Sequence, residues 1–354
     1  MKKWLFVITA VFALGASVII GLARVSAQQA PATAAKPTPK PTVTDEDEVI
    51  KIETEAVNVL FTAQDKNHRL LTNLKPEDIR ILENGQPQQI TAFSRQIDLP
   101  LSLAILIDTS ASQERTLPEE KEAAISFLES VVRPEKDEVS VVSFTGDSTL
   151  EQGMTSNLTR LRRSIERVQF VPPSGYIGGG VIAGTPPISG SNQAVAGSTA
   201  IWDCIWVTSE EVLGPAPDKT RRAIILLTDG YDTFSRKKLD DAARAAQKAE
   251  AVIYSIGIGD KFYDGVNKGV LEKISEKTGG RAYFPKDEIE LREAFKQIQE
   301  EMRSQYLLAY EPTNGAKDGS YRTIEIELAN PQLQRDKIKL THRQGYFAKS
   351  APKK

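Results

Sequence analysis

Cysteine and histidine are the scarcest reactive residues in this chain, with one Cys and two His in 354 residues. A lone Cys204 excludes an internal disulfide and any multi-cysteine zinc site. In the stretch S-T-A-I-W-D-C-I-W it reads as a small buried hydrophobe. His68 falls in a polar turn, D-K-N-H-R, and His342 in a strand-like run, so both read as surface or structural residues. Net charge is only −2, with 26% of residues charged, which disfavours nucleic acid and anionic membrane surfaces as partners. A phosphate-binding loop and a G-x-S-x-G nucleophile elbow are also missing.

What is present begins at the N-terminus. Two lysines precede an apolar run over Trp4–Ala23, which exits through Val25-Ser26-Ala27. This reads either as a secretory signal cleaved after Ala27 or as an uncleaved membrane anchor over residues 4–23. Both readings export the remainder to the periplasm or the cell exterior. No cysteine lies near this run to carry a lipid. Residues 28–48, rich in alternating prolines and ending in acids, read as a disordered, solvated spacer.

Residues 50–97 are patterned as strands. A-V-N-V-L-F-T-A is apolar and β-branched, and D-I-R-I-L-E-N-G-Q-P-Q-Q-I-T-A-F reads as two strands joined by Asn84-Gly85. So few strands are not stable alone. Residues 305–348 offer partners in four further short alternating runs, so the two ends of the chain are expected to build one small β-sandwich. The tail 349–354 is basic and frayed.

Between them, residues 98–304 alternate buried strands with amphipathic helices. Apolar runs occur at Leu103–Ile107, Val139–Phe144, Ala223–Leu227 and Val252–Ile258. Residues 117–132 repeat Ala124, Phe127, Leu128, Val131 and Val132 at helical spacing, behind the capping-box pair Thr116 and Glu119. Further helices are expected near 158–168, 200–213, 237–249, 268–278 and 288–303. Residues 145–153 read as a hairpin adding an antiparallel edge strand. The expected fold is α/β: a doubly wound, mostly parallel sheet inserted in the sandwich. Seven glycines in residues 174–198 interrupt the rhythm as a long loop.

The strand over Leu103–Ile107 ends in Asp108, followed by Ser110 and Ser112. Such oxygens could cap a helix, activate a nucleophile or hold a cation. A second aspartate, Asp229, ends the strand A-I-I-L-L-T-D-G, and Thr199 opens a helix after the glycine-rich loop. In an open parallel sheet, ligands bind at the carboxyl ends of the strands. Asp108, Ser110, Ser112, Thr199 and Asp229 would supply two carboxylates and three hydroxyls there, a hard donor set suited to Mg²⁺ or Mn²⁺ and less to Ca²⁺. Asp203, four residues after Thr199, reads as a first-turn carboxylate favoured by the helix dipole. An ion so held would keep a position for an anionic oxygen, such as a Glu or Asp of a protein partner.

D-T-S-A-S, G-S-T-A-I-W-D and L-L-T-D-G, in that order, resemble the metal-ion-dependent adhesion site of von Willebrand factor type A domains. The resemblance covers about residues 98–304 and fills all five positions of that motif. It implies a Rossmann-like fold in which both serines and the threonine lie close to the ion, with the aspartates often binding through water. The flanking strands look like those of secreted von Willebrand-related proteins of acidobacteria. The glycine-rich insertion before Thr199 departs from the pattern.

The sequence therefore points to an exported, non-enzymatic protein-binding module. Two alternatives stand beside it: a structural envelope protein whose metal stabilises the fold, and a metal-dependent hydrolase. Against the last, an aspartyl-phosphate enzyme would want an acid where Ser110 stands.

Overall fold

The computed structural model describes residues 56–67, 69–95, 99–172, 176–177, 180–181, 197–217, 220–259 and 265–350, all within one compact unit, Glu53–Lys354. The leader, the proline-rich spacer, His68 and most of the glycine-rich loop lie outside the described residues. Among the described residues no helix is long and apolar enough to cross a membrane.

The first strand, β1 (Val57–Gln64), buries Val57, Val59, Phe61 and Ala63 and exposes Asn58, the period of two that puts alternate residues on a dry face. β2 (Ile79–Glu83) turns through Asn84 and Gly85 into β3 (Gln86–Gln88). Both turn residues have positive φ, 50° and 75°, as a two-residue hairpin matched to strand twist requires. The sequence reading expects one strand after this turn. Instead the chain leaves its sheet at Gln89 and restarts as β4 (Ile90–Arg95) in another sheet. Pro87 lacks an N–H and is tolerated because β3 is an edge strand. The switch lets Ile90 and Phe93 pack on the sandwich core.

The inserted domain follows as β5 (Leu101–Asp108), α1 (Leu117–Val131), β6 (Glu138–Phe144), β7 (Ser148–Thr155) and α2 (Leu158–Arg167). Two short antiparallel pieces, β8 (Tyr176–Ile177) and β9 (Gly180–Val181), lie in the glycine-rich stretch. Then come α3 (Ile201–Val207), β10 (Arg221–Thr228), α4 (Leu239–Lys248), β11 (Ala251–Gly257), α5 (Lys268–Thr278), β12 (Ala282–Tyr283) and α6 (Glu288–Arg303). The sheet order is β12-β11-β10-β5-β6-β7, parallel throughout except for β7, the expected antiparallel edge strand.

Every residue of β5 and β10 is buried, because helices cover both sheet faces. Leu103, Ile105 and Ile107 face α1, α2 and α6, where Phe127 and Phe295 stack with ring centroids 4.8 Å apart. Ala104 and Leu106 face the opposite layer with Trp202 and Ile205 of α3. Two sequence expectations need correction. Thr116 does not cap α1; its hydroxyl donates to Gln113 Oε1 at 2.8 Å, and Pro118 with the first-turn acid Glu119 starts the helix. The helix expected over 200–213 is α-helical only to Val207, and Thr208–Leu213 widen into a π turn.

The C-terminal strands are β13 (Tyr306–Tyr310), β14 (Tyr321–Leu328), β15 (Lys339–His342) and β16 (Gly345–Phe347), with a short helix α7 (Pro331–Arg335) between β14 and β15. They complete two four-stranded sheets, β15-β1-β13-β4 and β16-β14-β2-β3. Val59, Phe61, Ile81, Leu308 and Ile324 form the core between them. The inserted domain enters after β4 and leaves into β13, and these are neighbouring strands, with Tyr306 opposite Arg95. His342 is structural: Nε2 accepts from Ile326 N at 3.2 Å, and Nδ1 lies 2.8 Å from the Arg343 carbonyl.

Candidate metal centre

Chain order reverses between β5 and β10, since β6 lies on one side of β5 and β10 on the other. At such a point the loops leaving two adjacent strands diverge and open a crevice at their carboxyl ends. Leu227 and Ile107 are the last residues that β10 and β5 pair with each other, and Asp108 and Asp229 lie just beyond that pairing.

Asp108 is fully buried. Its Oδ1 accepts from Ser110 N at 2.9 Å and its Oδ2 from the Thr228 hydroxyl at 2.6 Å. Asp229, 4% exposed, turns on itself in the same way, accepting from Tyr231 N at 3.0 Å. The hydroxyls of Ser110 and Ser112 lie 3.3 Å apart. Thr199 is buried and fastened to the same end of the sheet through the backbone. Its carbonyl accepts from Thr233 N at 2.8 Å, and the next residue's N–H donates to the Thr145 carbonyl at 2.7 Å. Thr145 directly follows β6, the other neighbour of β5.

The charges here are poorly compensated. Burial, and then the neighbouring charge of Asp229, push Asp108 up to about 7. Glu120, on the core face of α1, is also fully buried, and burial with the charges of Asp108 and Asp229 pushes it up to about 8. Neither Glu120 oxygen has a hydrogen-bond partner within bonding distance among the described residues. Acids held this way favour a positive charge close by.

Among the described residues no three of His, Cys, Asp and Glu converge as a metal site. A cation here would therefore need the hydroxyl oxygens as well. Two carboxylates with neutral oxygens from Ser110, Ser112 and Thr199 would make a hard donor set for a divalent ion.

Two family models, each described as a von Willebrand factor type A domain, match residues 103–231 and residues 196–297. The chain carries a von Willebrand factor type A domain. No curated protein matches it at the level required. Among solved structures, a von Willebrand factor type A protein from Catenulispora acidiphila is 13% identical, over 77% of this chain and 73% of that one, with a TM-score of 0.45. Proximal thread matrix protein 1 from the mussel byssus, in a structure whose MIDAS motif is occupied by zinc, is 17% identical over 59% of this chain, with a TM-score of 0.44. The match spans 50% of that mussel protein's length. BatB from Bacteroides thetaiotaomicron is 18% identical over 58% of this chain and all of its own, with a TM-score of 0.41.

Several residues of this von Willebrand factor type A domain that shape the crevice escape the sequence reading. Thr228 and Glu120 are two. Asp232, Thr233 and Ser235, in the loop after Asp229, are three more. Asp203 lies in the first turn of α3 as expected, and its carboxylate accepts from the backbone N–H groups of Arg236 and Lys237. Cys204 is buried, and burial pushes its thiol up to about 12, so it packs as a hydrophobe.

Gly230 follows Asp229 at φ +84°, and a Cβ there would lie 2.9 Å from Leu271 Cγ. Asn267 N, which donates to the Asp229 carbonyl at 2.8 Å, sits at the base of the same helix. Gly230→Ala is therefore expected to lower stability by about 2 kcal/mol through strained backbone and crowding. A urea titration measures it, and an unchanged midpoint would refute the strain.

Proposed function

We propose that this protein is an exported, non-enzymatic binding module that recognises an acidic side chain of a protein partner through a divalent cation, Mg²⁺ or Mn²⁺. The observation that carries this reading is the buried pair Asp108 and Asp229 at the switch point, with the Ser110 and Ser112 hydroxyls 3.3 Å apart on the loop after Asp108 and Thr199 buried at the same end of the sheet. Asp108 and Asp229 would balance a divalent charge, and the three hydroxyls would add neutral oxygens. A cation so held offers its remaining position to a carboxylate oxygen from outside. Export is supported by the N-terminal lysines and the apolar run Trp4–Ala23.

Calorimetric titration of Mg²⁺ and Mn²⁺ into the whole chain, wild type beside Asp108→Ala, tests the proposal. Saturable binding in the wild type and none in the folded mutant is the expected result. A mutant that does not fold would favour a fold-stabilising ion instead. If the wild type takes up ion neither alone nor with millimolar acetate or a Glu-bearing peptide, the adhesion reading fails.

A further inference from the structure

Thr199 stands in an awkward place for a ligand. It follows a glycine-rich stretch, and among the described residues the regular helix begins only at Ile201. The cap position beside it offers no side-chain anchor: the N-cap of α3 is Ala200, whose side chain makes no capping bond. Besides the Thr145 carbonyl, which accepts from Ala200 N, the groups that hold it come from the loop after Asp229.

Asp232 Oδ1 accepts from Ile201 N at 2.8 Å, and the Ser235 hydroxyl, which donates to that same oxygen at 2.5 Å, accepts from Trp202 N at 3.0 Å and Asp203 N at 3.2 Å. The start of α3 is thus capped by side chains some 30 residues away rather than by its own cap residue. Thr233 closes the other side. Its hydroxyl accepts from Thr199 N at 2.9 Å, and the Thr199 carbonyl accepts from Thr233 N at 2.8 Å and Phe234 N at 3.0 Å. The grip is mutual, because the Asp203 carboxylate returns two bonds, from Lys237 N at 2.7 Å and Arg236 N at 3.0 Å.

We infer that Asp232, acting with Thr233 and Ser235, is the positioning residue for Thr199, and that the Thr199 and Asp229 loops move as one body. The inference rests on the proposed reading of the crevice as an ion site. Asp108, Ser110 and Ser112 form the second body, on a loop anchored by Thr109, whose N–H and hydroxyl both donate to the Phe144 carbonyl, and tied to the first body by the Thr228 hydroxyl, which donates to Asp108 Oδ2. An ion would be bound where these two bodies meet.

The test is a double-mutant cycle on the whole chain, read by calorimetric Mn²⁺ and Mg²⁺ titration and by thermal melts without metal. Asp232→Ala is expected to weaken ion binding roughly 10- to 100-fold, as loss of a ligand's supporting partner does, and Asp232→Asn to recover most of it. In a Thr199→Ala background, Asp232→Ala should change affinity by less than about twofold, because the group it positions is gone. The metal-free melting shift caused by Asp232→Ala should be the same in both backgrounds, which a purely structural role would share but the affinity pattern would not. If Asp232→Ala does not fold, Ser235→Ala runs the same cycle. Losses of affinity that multiply across the two sites would overturn the inference while leaving the ion site standing. A wild type that binds no ion would remove the site and the inference together.

Discussion

The metal-free protein is expected to be more stable at pH 5 than at pH 8, with Mg²⁺ removing most of the difference. Asp108 titrates near 7 and Glu120 near 8 in the folded chain, against about 4 for both once unfolded. Between those values the folded state holds protons that the unfolded state has released, so unfolding free energy falls as pH rises. The stability is complete below about pH 4 and is lost as pH climbs through 7 and 8. For Asp108 alone, three units correspond to roughly 4 kcal/mol. A bound divalent ion favours the ionised carboxylates and reverses the loss by mass action. Asp108→Asn should remove its share of the slope and leave that of Glu120, so that the metal-free variant melts above the wild type at pH 8 yet gains nothing from Mg²⁺. Urea unfolding at several pH values, with chelator or with Mg²⁺, reads all of this. A flat wild-type profile, or an equal Mg²⁺ gain in the variant, would show that these acids are not coupled to an ion.

Arg322→Met is expected to cost about 3–5 kcal/mol, enough to unfold much of the sandwich. Arg322 and Glu83 are each 2% exposed in their side chains and pair at 3.3 Å between the two sheets. Tyr310 and Tyr346 hydroxyls donate to Glu83 Oε2 at 2.7 and 2.8 Å, and the guanidinium also donates to the Asn314 and Ala316 carbonyls. Removing Arg322 leaves Glu83 charged and buried among phenols, and it strands two loop carbonyls. The double variant Glu83→Gln, Arg322→Met removes the uncompensated charge and should be less damaging than Arg322→Met alone. Thermal melts of the three proteins decide the matter. Additive losses would mean that the pair is not energetically coupled.

The parts of the fold that were legible in the sequence are those where burial is repetitive. β5 and β10 are apolar along their whole length because both faces are covered, and α1 and α6 show their inner faces at helical spacing. Asp108, Ser110, Ser112, Thr199 and Asp229 could be chosen because each sits at a junction where the pattern changes. Their placement as ligands remains a proposal, but the fold does gather their segments at one sheet end. Features set by distant partners were not legible. The break at Gln89 depends on a core built with strands from the other end of the chain. Thr116 fits a capping box locally, yet Gln113 competes for its hydroxyl. The T-D-G-Y-D-T-F-S segment reads as an ordinary loop, since the N–H groups that Asp232 and Ser235 accept from belong to α3. Glu120 did leave a trace: an acid three residues after Leu117 and four before Ala124 lies on the apolar face of its helix.

The adjacency of β4 and β13 has a consequence for the order of assembly. Bringing Arg95 to Tyr306 in an unfolded chain closes a loop of about 210 residues, at an entropic cost of about 5 kcal/mol. In the folded α/β domain the chain enters and leaves at neighbouring rungs, so that search has already been done. The sandwich strands from the two termini are therefore expected to meet at lower entropic cost once the domain between them has formed.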